Sequence, residues 1–129
     1  MITTRMKWCL AAILAPMLAC EMASAQDVAT GERLFHQRCG ACHTVQAGQN
    51  RMGPHLAGVV GRKAGSVEGV RYSQSMRDAA ITWDVVQLNG FLANPRATVP
   101  GTTMTVAVPN EADRANIVAY LQGLPATSN

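Results

Sequence analysis

The sequence is short of the residues that usually fill a small core or build a sheet. Aromatic residues make up 5% of the 129 residues. Those that lie beyond residue 25 are Phe35, Tyr72, Trp83, Phe91 and Tyr120. No segment alternates apolar and polar residues convincingly over the length of a strand, and there is no internal repeat or low-complexity tract. We therefore expect one helical domain, rich in loops, in which something other than aromatic side chains fills the middle.

Charge is also scarce. Charged residues make up 15% of the chain, with 11 basic and 8 acidic side chains. Without Arg5, Lys7 and Glu21 nine basic and seven acidic residues remain, so the rest of the chain carries a net charge of +2. A balance this close to neutral is not that of a nucleic-acid-binding protein.

The first 25 residues have the pattern of an export signal. Arg5 and Lys7 precede an apolar run at residues 8–18, and residues 23–25 form a small-x-small cleavage pattern. The run is 11 residues long, whereas a membrane-spanning helix needs about 20. We expect residues 1–25 to be a cleaved signal peptide and residues 26–129 to be an exported domain, periplasmic if the host is bacterial. Acylation at Cys20 is the alternative.

Three helices are predicted, each from a polar capping residue followed by an apolar stripe. The caps are Asp27, Asp84 and Asn110, and the stripes are Val28, Gly31, Leu34 and Phe35; Val85, Leu88, Phe91 and Leu92; and Ile117, Val118 and Leu121. Residues 53–73 are glycine-rich, which predicts bent loops rather than a sheet. Residues 94–110 hold Pro95, Pro100 and Pro109 and predict an extended loop without helix or strand.

The stretch "RCGACHTVQAG" places two thiols and an imidazole within five positions, at Cys39, Cys42 and His43. C-x-x-C-H is the attachment motif of c-type haem, in which both thiols form thioethers and the imidazole binds iron. Three other interpretations fit less well. A structural disulfide needs no histidine, a zinc site wants four ligands, and a thioredoxin-like site wants a βαβ setting.

The second axial position of such an iron decides between electron transfer and ligand chemistry. Met104 lies 61 residues after His43 in the proline-braced segment, far enough to reach the opposite face. Met52 follows His43 by only nine residues and is expected on the histidine side. Met76 is expected to be a buried gap-filler in a single helical turn. His36 and His55 are expected to be ordinary surface or hydrogen-bonded side chains.

Five segments together resemble a class I cytochrome c of the mitochondrial and related bacterial type. They are "GERLFHQRCGACHTV", "GPHLAGVVGRKAG", "YSQSMRDAAITW", "NPRATVPGTTM" and "ADRANIVAYL". The resemblance implies a small all-α fold, with three or more helices and loops wrapped around one covalently attached haem c. It also implies the following site residues: Cys39 and Cys42 as covalent anchors, His43 and Met104 as iron ligands, and Arg62, Tyr72 and Trp83 at the haem propionates.

Further contacts follow from the same resemblance. The Pro54 carbonyl would support His43, and Thr102 would support Met104. Gly31 and Phe35 of the first helix would pack against Ile117 and Tyr120 of the last.

The sequence also departs from the family pattern. Phe91 stands where a tyrosine is usual, Met76 where an asparagine is often buried, and Val106 where an aromatic residue is usual. Lys63 is the single lysine beyond residue 25, in contrast to the lysine ring of the mitochondrial members. Thr103 stands beside the proposed ligand Met104, and Arg38 and Arg96 are the basic residues expected to flank the haem edge. We therefore expect electrostatic steering toward acidic partners to be present but weaker than in the mitochondrial members.

These features predict a non-enzymatic one-electron carrier that serves exported or membrane-bound redox partners in a respiratory or photosynthetic-type chain. The mature chain is expected to be a monomer without stable membrane insertion or nucleic-acid binding. Three alternatives remain open. They are a haem protein that binds a small ligand such as peroxide at a labile sixth site, the cytochrome subunit of a particular dehydrogenase, and a thiol–disulfide oxidoreductase using Cys39 and Cys42.

Overall fold

Five helices and the loops between them make up residues 26–126, the part of the chain that the computed structural model describes. They are α1 (Val28–Arg38), α2 (Gln74–Asp78), α3 (Val85–Ala93), α4 (Pro95–Thr98) and α5 (Glu111–Gln122). Over this range the only strand-like pairing is one antiparallel bridge between Lys63 and Thr82, which confirms the all-α prediction. The signal peptide proposed for residues 1–25 and the acylation alternative at Cys20 lie outside the described residues.

The three predicted helices begin at their predicted caps. The Asp27 carboxylate accepts hydrogen bonds from the N–H groups of Ala29 and Thr30, at 3.0 and 3.2 Å. Asp84 accepts from the N–H of Gln87 at 2.7 Å, and Asn110 accepts from the N–H of Asp113 at 2.9 Å. Each side chain satisfies a donor that a helix start leaves without a partner. Among the described residues, no helix is both long and apolar enough to cross a membrane.

Helix α4 was not predicted, because residues 94–110 carry three prolines and were expected to be extended throughout. Asn94 ends α3 and starts α4, and its side chain accepts from the N–H of Ala97 at 3.1 Å. Pro95 occupies the first turn, where its fixed φ suits a helix and its missing N–H costs nothing. The prediction of an unbroken loop was therefore wrong over Pro95–Thr98, although the segment that follows α4 has no helix before α5.

Helices α1 and α5 cross in close contact at Gly31. A Cβ atom on Gly31 would lie 2.0 Å from the backbone oxygen of Asn116, so only glycine lets the two helices approach this closely. One turn further, the ring of Phe35 lies 5.7 Å from that of Tyr120, centroid to centroid, and Phe35 and Ile117 are each 1% exposed. The packing implied by the family resemblance is present.

Helix α3 contributes a third helix to the core formed by α1 and α5. Leu88, Phe91 and Leu92 are buried, and the ring of Phe91 lies 5.0 Å from that of Trp83. Val85, predicted on the same apolar stripe, is 37% exposed, because the first turn of α3 extends past the core. Together α1, α3, α5 and the loop of residues 53–73 surround a central space rather than a continuous aromatic core.

Candidate functional site

The central space is a cavity of about 660 Å³, within the usual range for small-molecule and cofactor sites. All seven predicted site residues line it, namely Cys39, Cys42, His43, Arg62, Tyr72, Trp83 and Met104. Apolar side chains from α3 and α5, among them Leu88, Leu92, Ile117 and Leu121, form much of the remaining wall. The cavity accounts for the small number of aromatic residues, because the helices surround a space rather than an interior filled by side chains.

The two cysteines and the histidine lie on a tight turn directly after α1. The N–H of Cys39 donates to the carbonyl of Phe35 at 2.8 Å, and the N–H groups of Cys42 and His43 both donate to the carbonyl of Cys39, at 3.0 and 2.9 Å. This turn brings three reactive side chains to one wall of the cavity. Cys39 is buried and Cys42 is half-buried.

The environment of Cys39 does not resemble that of a redox-active thiol. Burial raises the pKa of the Cys39 thiol, and this exceeds the opposing effect of the Arg38 charge. Catalytic cysteines of C-x-x-C oxidoreductases have lowered pKa values, which make the nucleophilic thiolate available. Among the described residues there is no βαβ unit, and the shift of the Cys39 pKa is opposite to that of a C-x-x-C nucleophile, so neither observation supports the thiol–disulfide alternative.

His43 is held in one orientation from two sides. Its Nδ1 atom lies 2.8 Å from the carbonyl oxygen of Pro54, and since a carbonyl can only accept, Nδ1 carries the proton and Nε2 keeps its lone pair. Gly53 packs directly on the ring, because a Cβ there would lie 2.4 Å from Cε1 of His43. Burial, helped by the Arg62 charge, lowers the pKa of His43 despite the opposing Pro54 hydrogen bond. The neutral imidazole that metals bind is thus favoured.

The three candidate methionines all border the cavity but differ in setting. Met52 is 82% exposed and directly precedes Gly53, so it belongs to the histidine wall. Met76 is buried on α2 and fills the core, as predicted. Met104 lies in the segment between α4 and α5, half-buried against the core, and its N–H donates to the hydroxyl of buried Thr102 at 3.3 Å.

The polar residues at another part of the wall are fixed by backbone groups. The Arg62 guanidinium donates to the carbonyls of His55 and Ala57, at 2.9 and 3.2 Å, and burial lowers its pKa. The Tyr72 hydroxyl accepts from the N–H of Val67 at 3.3 Å, which leaves its own proton available to donate, and burial raises its pKa. Trp83 is 7% exposed. A guanidinium, a phenol and an indole N–H are apt partners for carboxylates.

The cavity is lined by cations but by no carboxylate among the described residues. Its exposed basic side chains are Arg38, Arg51, Lys63 and Arg71. Arg38 was predicted at this edge, whereas Arg96 lies on α4 and does not line the cavity. Arg51 and Arg71 were not predicted. Arg51 lies three positions before Pro54 and Arg71 directly precedes Tyr72, both of which the sequence analysis assigns to the site, and this proximity was the available signal.

His36 and His55 are not brought into the cavity wall. His36 is exposed on α1, with Nε2 at 4.0 Å from the carboxylate of Glu32. His55 is half-buried, and its Nδ1 atom has no hydrogen-bond partner within the described residues. Burial, together with the Arg62 charge, lowers the pKa of His55. Neither is placed to ligate a metal inside the cavity.

The residues present fit a covalently attached haem. Two thiols one turn apart, an imidazole with a fixed tautomer, a thioether from a separate loop, and polar side chains suited to carboxylates line one largely apolar cavity. The bare Cα of Gly53 gives the imidazole the room it needs. The fold and this donor set define an all-α protein of the c-type haem class.

The chain belongs to the cytochrome c family, whose model matches residues 28–125. It is 46% identical over 99 residues to a cytochrome c of Euglena viridis, covering 76% of this chain and 97% of that protein. It is also 46% identical over 100 residues to the cytochrome c-type cyt cy of Rhodobacter capsulatus, covering 77% of this chain but only 50% of that protein. The solved structure of cytochrome cH from Methylobacterium extorquens superposes with a TM-score of 0.68 at 39% identity, over 74% of this chain and 97% of that one.

Family membership settles the cofactor and the general role. Cytochromes c hold haem c covalently through a C-x-x-C motif, and this chain has one such motif, at Cys39 and Cys42. The chain is a monohaem electron carrier of this family.

Proposed function

We propose that this cytochrome carries single electrons between redox proteins outside the cytoplasm, in a respiratory or photosynthetic-type chain, and is not an enzyme. Haem iron supplies the one-electron chemistry by alternating between its ferric and ferrous states. The protein contributes ligands, burial and a docking face. The observation that carries the proposal is that His43 and Met104 line one cavity while each is fixed by a hydrogen bond of its own.

In this proposal His43 and Met104 would bind the haem iron, and Cys39 and Cys42 would form the thioethers. His43 keeps Nε2 available because Pro54 occupies Nδ1. Met104 is the one candidate methionine that lies neither on the histidine wall nor in a helix of the core. Ligands that need not move between oxidation states favour rapid electron transfer over the binding of an external ligand.

Arg62, Tyr72 and Trp83 are proposed to bind the haem carboxylates. A buried carboxylate is costly unless it is hydrogen-bonded or paired with a charge. Because two backbone carbonyls already hold the Arg62 guanidinium in place, little side-chain freedom is lost when it meets an anion.

The proposed partners are redox proteins with an acidic docking face. Four exposed cations line the cavity, of which Arg38 also pairs with Asp113 outside the wall. Met52 and Val106 add exposed apolar surface there, 82% and 44% exposed. This combination suits brief docking that is steered by charge and completed by apolar contact. Export through cleavage after Ala25, a periplasmic location in a bacterial host and a monomeric state complete the proposal.

The test is the optical spectrum of the holoprotein, made with haem-attachment machinery, in the oxidised state, the reduced state, and the reduced state under carbon monoxide. We expect low-spin spectra that carbon monoxide does not shift, since a ligated sixth position excludes it. Met104→Ala should convert the reduced protein to a form that binds carbon monoxide, whereas Met52→Ala should not. A wild-type spectrum that shifts under carbon monoxide would instead support small-ligand chemistry at a labile sixth site.

A further inference from the structure

Arg114, on α5, joins three parts of the chain through its guanidinium. Its Nε atom donates to the side-chain oxygen of Asn89 on α3 at 2.7 Å. Its Nη1 atom donates to the carbonyls of Val108 and Pro109, at 3.0 and 2.7 Å. These two carbonyls belong to the segment that connects Met104 to α5. One side chain therefore ties that segment to two helices.

Val108 is the first fixed point after Met104. It is 0% exposed, its N–H donates to the carbonyl of Leu92 at 2.8 Å, and its carbonyl accepts from Arg114. The intervening residues 105–107 are all exposed. On the other side, Thr102 holds the N–H of Met104 directly. The backbone at Met104 is therefore fixed at two points, which we call anchors: Thr102, two positions before it, and Val108, four positions after it.

We propose that Arg114 is a positioning residue that determines how firmly Met104 is held at the cavity. This inference rests on the proposed role of Met104 as an iron ligand. Hydrogen bonds from a charged donor are stronger than neutral ones, and removing this donor leaves the carbonyl of fully buried Val108 without a partner. The second anchor is then weakened while the first remains.

A purely structural role would give a different result. If Arg114 were only structural, its replacement would lower the global free energy of unfolding and leave the native state unchanged. If Arg114 is a positioning residue, its replacement also causes local opening of residues 103–109 under conditions in which the rest of the protein stays folded. Opening of that segment exposes the sixth position, so the binding of an external ligand reports on it.

The experiment uses holoproteins and measures the rate of carbon monoxide binding to the reduced form, together with the reduction potential. Arg114→Met keeps the length of the aliphatic chain and removes every donor, while Arg114→Lys keeps the charge but cannot reach three acceptors on two sides at once. Asn89→Ala removes only the link to α3. Asp27→Ala removes the side-chain cap of α1 and no hydrogen bond to residues 103–109, so it is the matched control for global destabilisation.

Wild type is expected to bind carbon monoxide only through rare opening of residues 103–109, too slowly to shift a spectrum while it is recorded. We expect Arg114→Met to bind it about tenfold faster or more, the ratio given by loss of a charged hydrogen bond. Arg114→Lys and Asn89→Ala should give intermediate rates, and the potential should fall as the thioether is held less firmly. Asp27→Ala should match wild type in both measurements. Equal rates in Arg114→Met and Asp27→Ala would overturn the inference.

The outcome also separates this inference from the proposed function. Binding of carbon monoxide by the wild type, with no further change in Met104→Ala, would show that Met104 is not the ligand. A wild type that excludes carbon monoxide while Arg114→Met also excludes it would leave the ligand assignment intact and refute the role of Arg114. If Arg114→Met does not fold, Arg114→Lys and Asn89→Ala decide the question, because each keeps part of the network.

Discussion

The Nδ1 atom of His43 donates to the carbonyl oxygen of Pro54, 2.8 Å away, while Gly53, the residue before that proline, lies against the imidazole ring. The two residues act on different properties of the ring. The carbonyl sets the tautomer, and the glycine sets the position. A ligand fixed in this way needs little reorganisation when the charge on its metal changes.

Gly53→Ala should therefore disturb His43 without altering any donor atom. The added Cβ would lie 2.4 Å from Cε1 and 2.8 Å from Nδ1 of the ring, so the imidazole must tilt and the hydrogen bond to Pro54 must lengthen. We expect a lower yield of holoprotein and a shifted reduction potential, measured by haem absorbance per polypeptide and by redox titration.

The matched control for this change is Gly90→Ala on α3. A Cβ there meets nothing nearer than the Thr98 hydroxyl at 3.9 Å, and alanine in a helix interior is favoured over glycine by about 1 kcal/mol. This variant should be slightly more stable than wild type with an unchanged potential. An unchanged potential in Gly53→Ala as well would show that the ring has room that the structure does not indicate.

Gly31→Ala should destabilise the whole protein rather than the site. Its Cβ would meet the backbone of Asn116, which cannot move aside as a flexible side chain can. Overpacking of this kind costs about 1–3 kcal/mol, and more where backbones collide. Urea denaturation of the holoprotein should show a free energy of unfolding lower by at least this amount, with a correspondingly lower midpoint. A midpoint equal to that of wild type would contradict the tight crossing of α1 and α5.

Acid should weaken α1 through its cap. The Thr30 hydroxyl and backbone N–H groups hold the pKa of the Asp27 carboxyl below its ordinary value. Because the pKa is lower in the folded than in the unfolded state, the cap's contribution is present above the unfolded pKa, roughly 3.9, and is lost as pH falls through the folded pKa. Asp27→Asn caps the helix without titrating. Urea midpoints measured from neutral pH down to acid should fall more steeply in wild type than in this variant, and parallel curves would argue against the linkage.

Charge at the cavity rim should control reactions with small ions. Arg71 is the most informative position, since Arg38 pairs with Asp113 at 3.4 Å and Arg51 donates to the carbonyl of Gly40. Arg71→Glu should slow oxidation of the reduced protein by ferricyanide about threefold to tenfold at low salt, and should speed oxidation by a tripositive cobalt complex.

Arg33→Glu on α1, outside the cavity wall, makes the same change of net charge. It should have a smaller effect on both rates. If the two variants behave alike, net charge rather than the rim governs the reaction. High salt should reduce the difference between the variants, since screening acts on exposed charges.

Local patterns were sufficient to predict the helix starts. Asp27, Asp84 and Asn110 each cap the helix that the apolar spacing indicates, because capping depends on neighbours within one turn. The start of α4 depends equally on Asn94 and Pro95, yet it was missed because three prolines in one segment were interpreted as extended structure. Val85 was assigned to the core since periodicity shows which face is apolar but not where the core ends.

The site could be predicted as far as its residues stand in recognisable motifs. The positions of Cys39, Cys42, His43 and Met104 follow from the motif and from sequence distance, and the structure brings all four to one cavity. Arg51 and Arg71 were missed although each stands near a residue assigned to the site, and Arg114 was not considered because its importance depends on contacts with a distant segment. Arg114 reaches Asn89, which lies 25 positions away, and no local pattern in either helix indicates that they meet.

The direction of α1 determines where a tag can be attached without covering the cavity rim. Its 11 residues separate Asp27 from the attachment turn at Cys39, a distance of about 16 Å along the helix axis, and the N–H of Asp27 is tied to Asn116 on α5 rather than to the cavity rim. A tag or fusion partner placed ahead of Gln26 would therefore leave the protein at the end of α1 away from the haem. Molecules immobilised on an electrode through such a tag would keep the rim open to the solution, whereas coupling through Arg71 or Lys63 would block it.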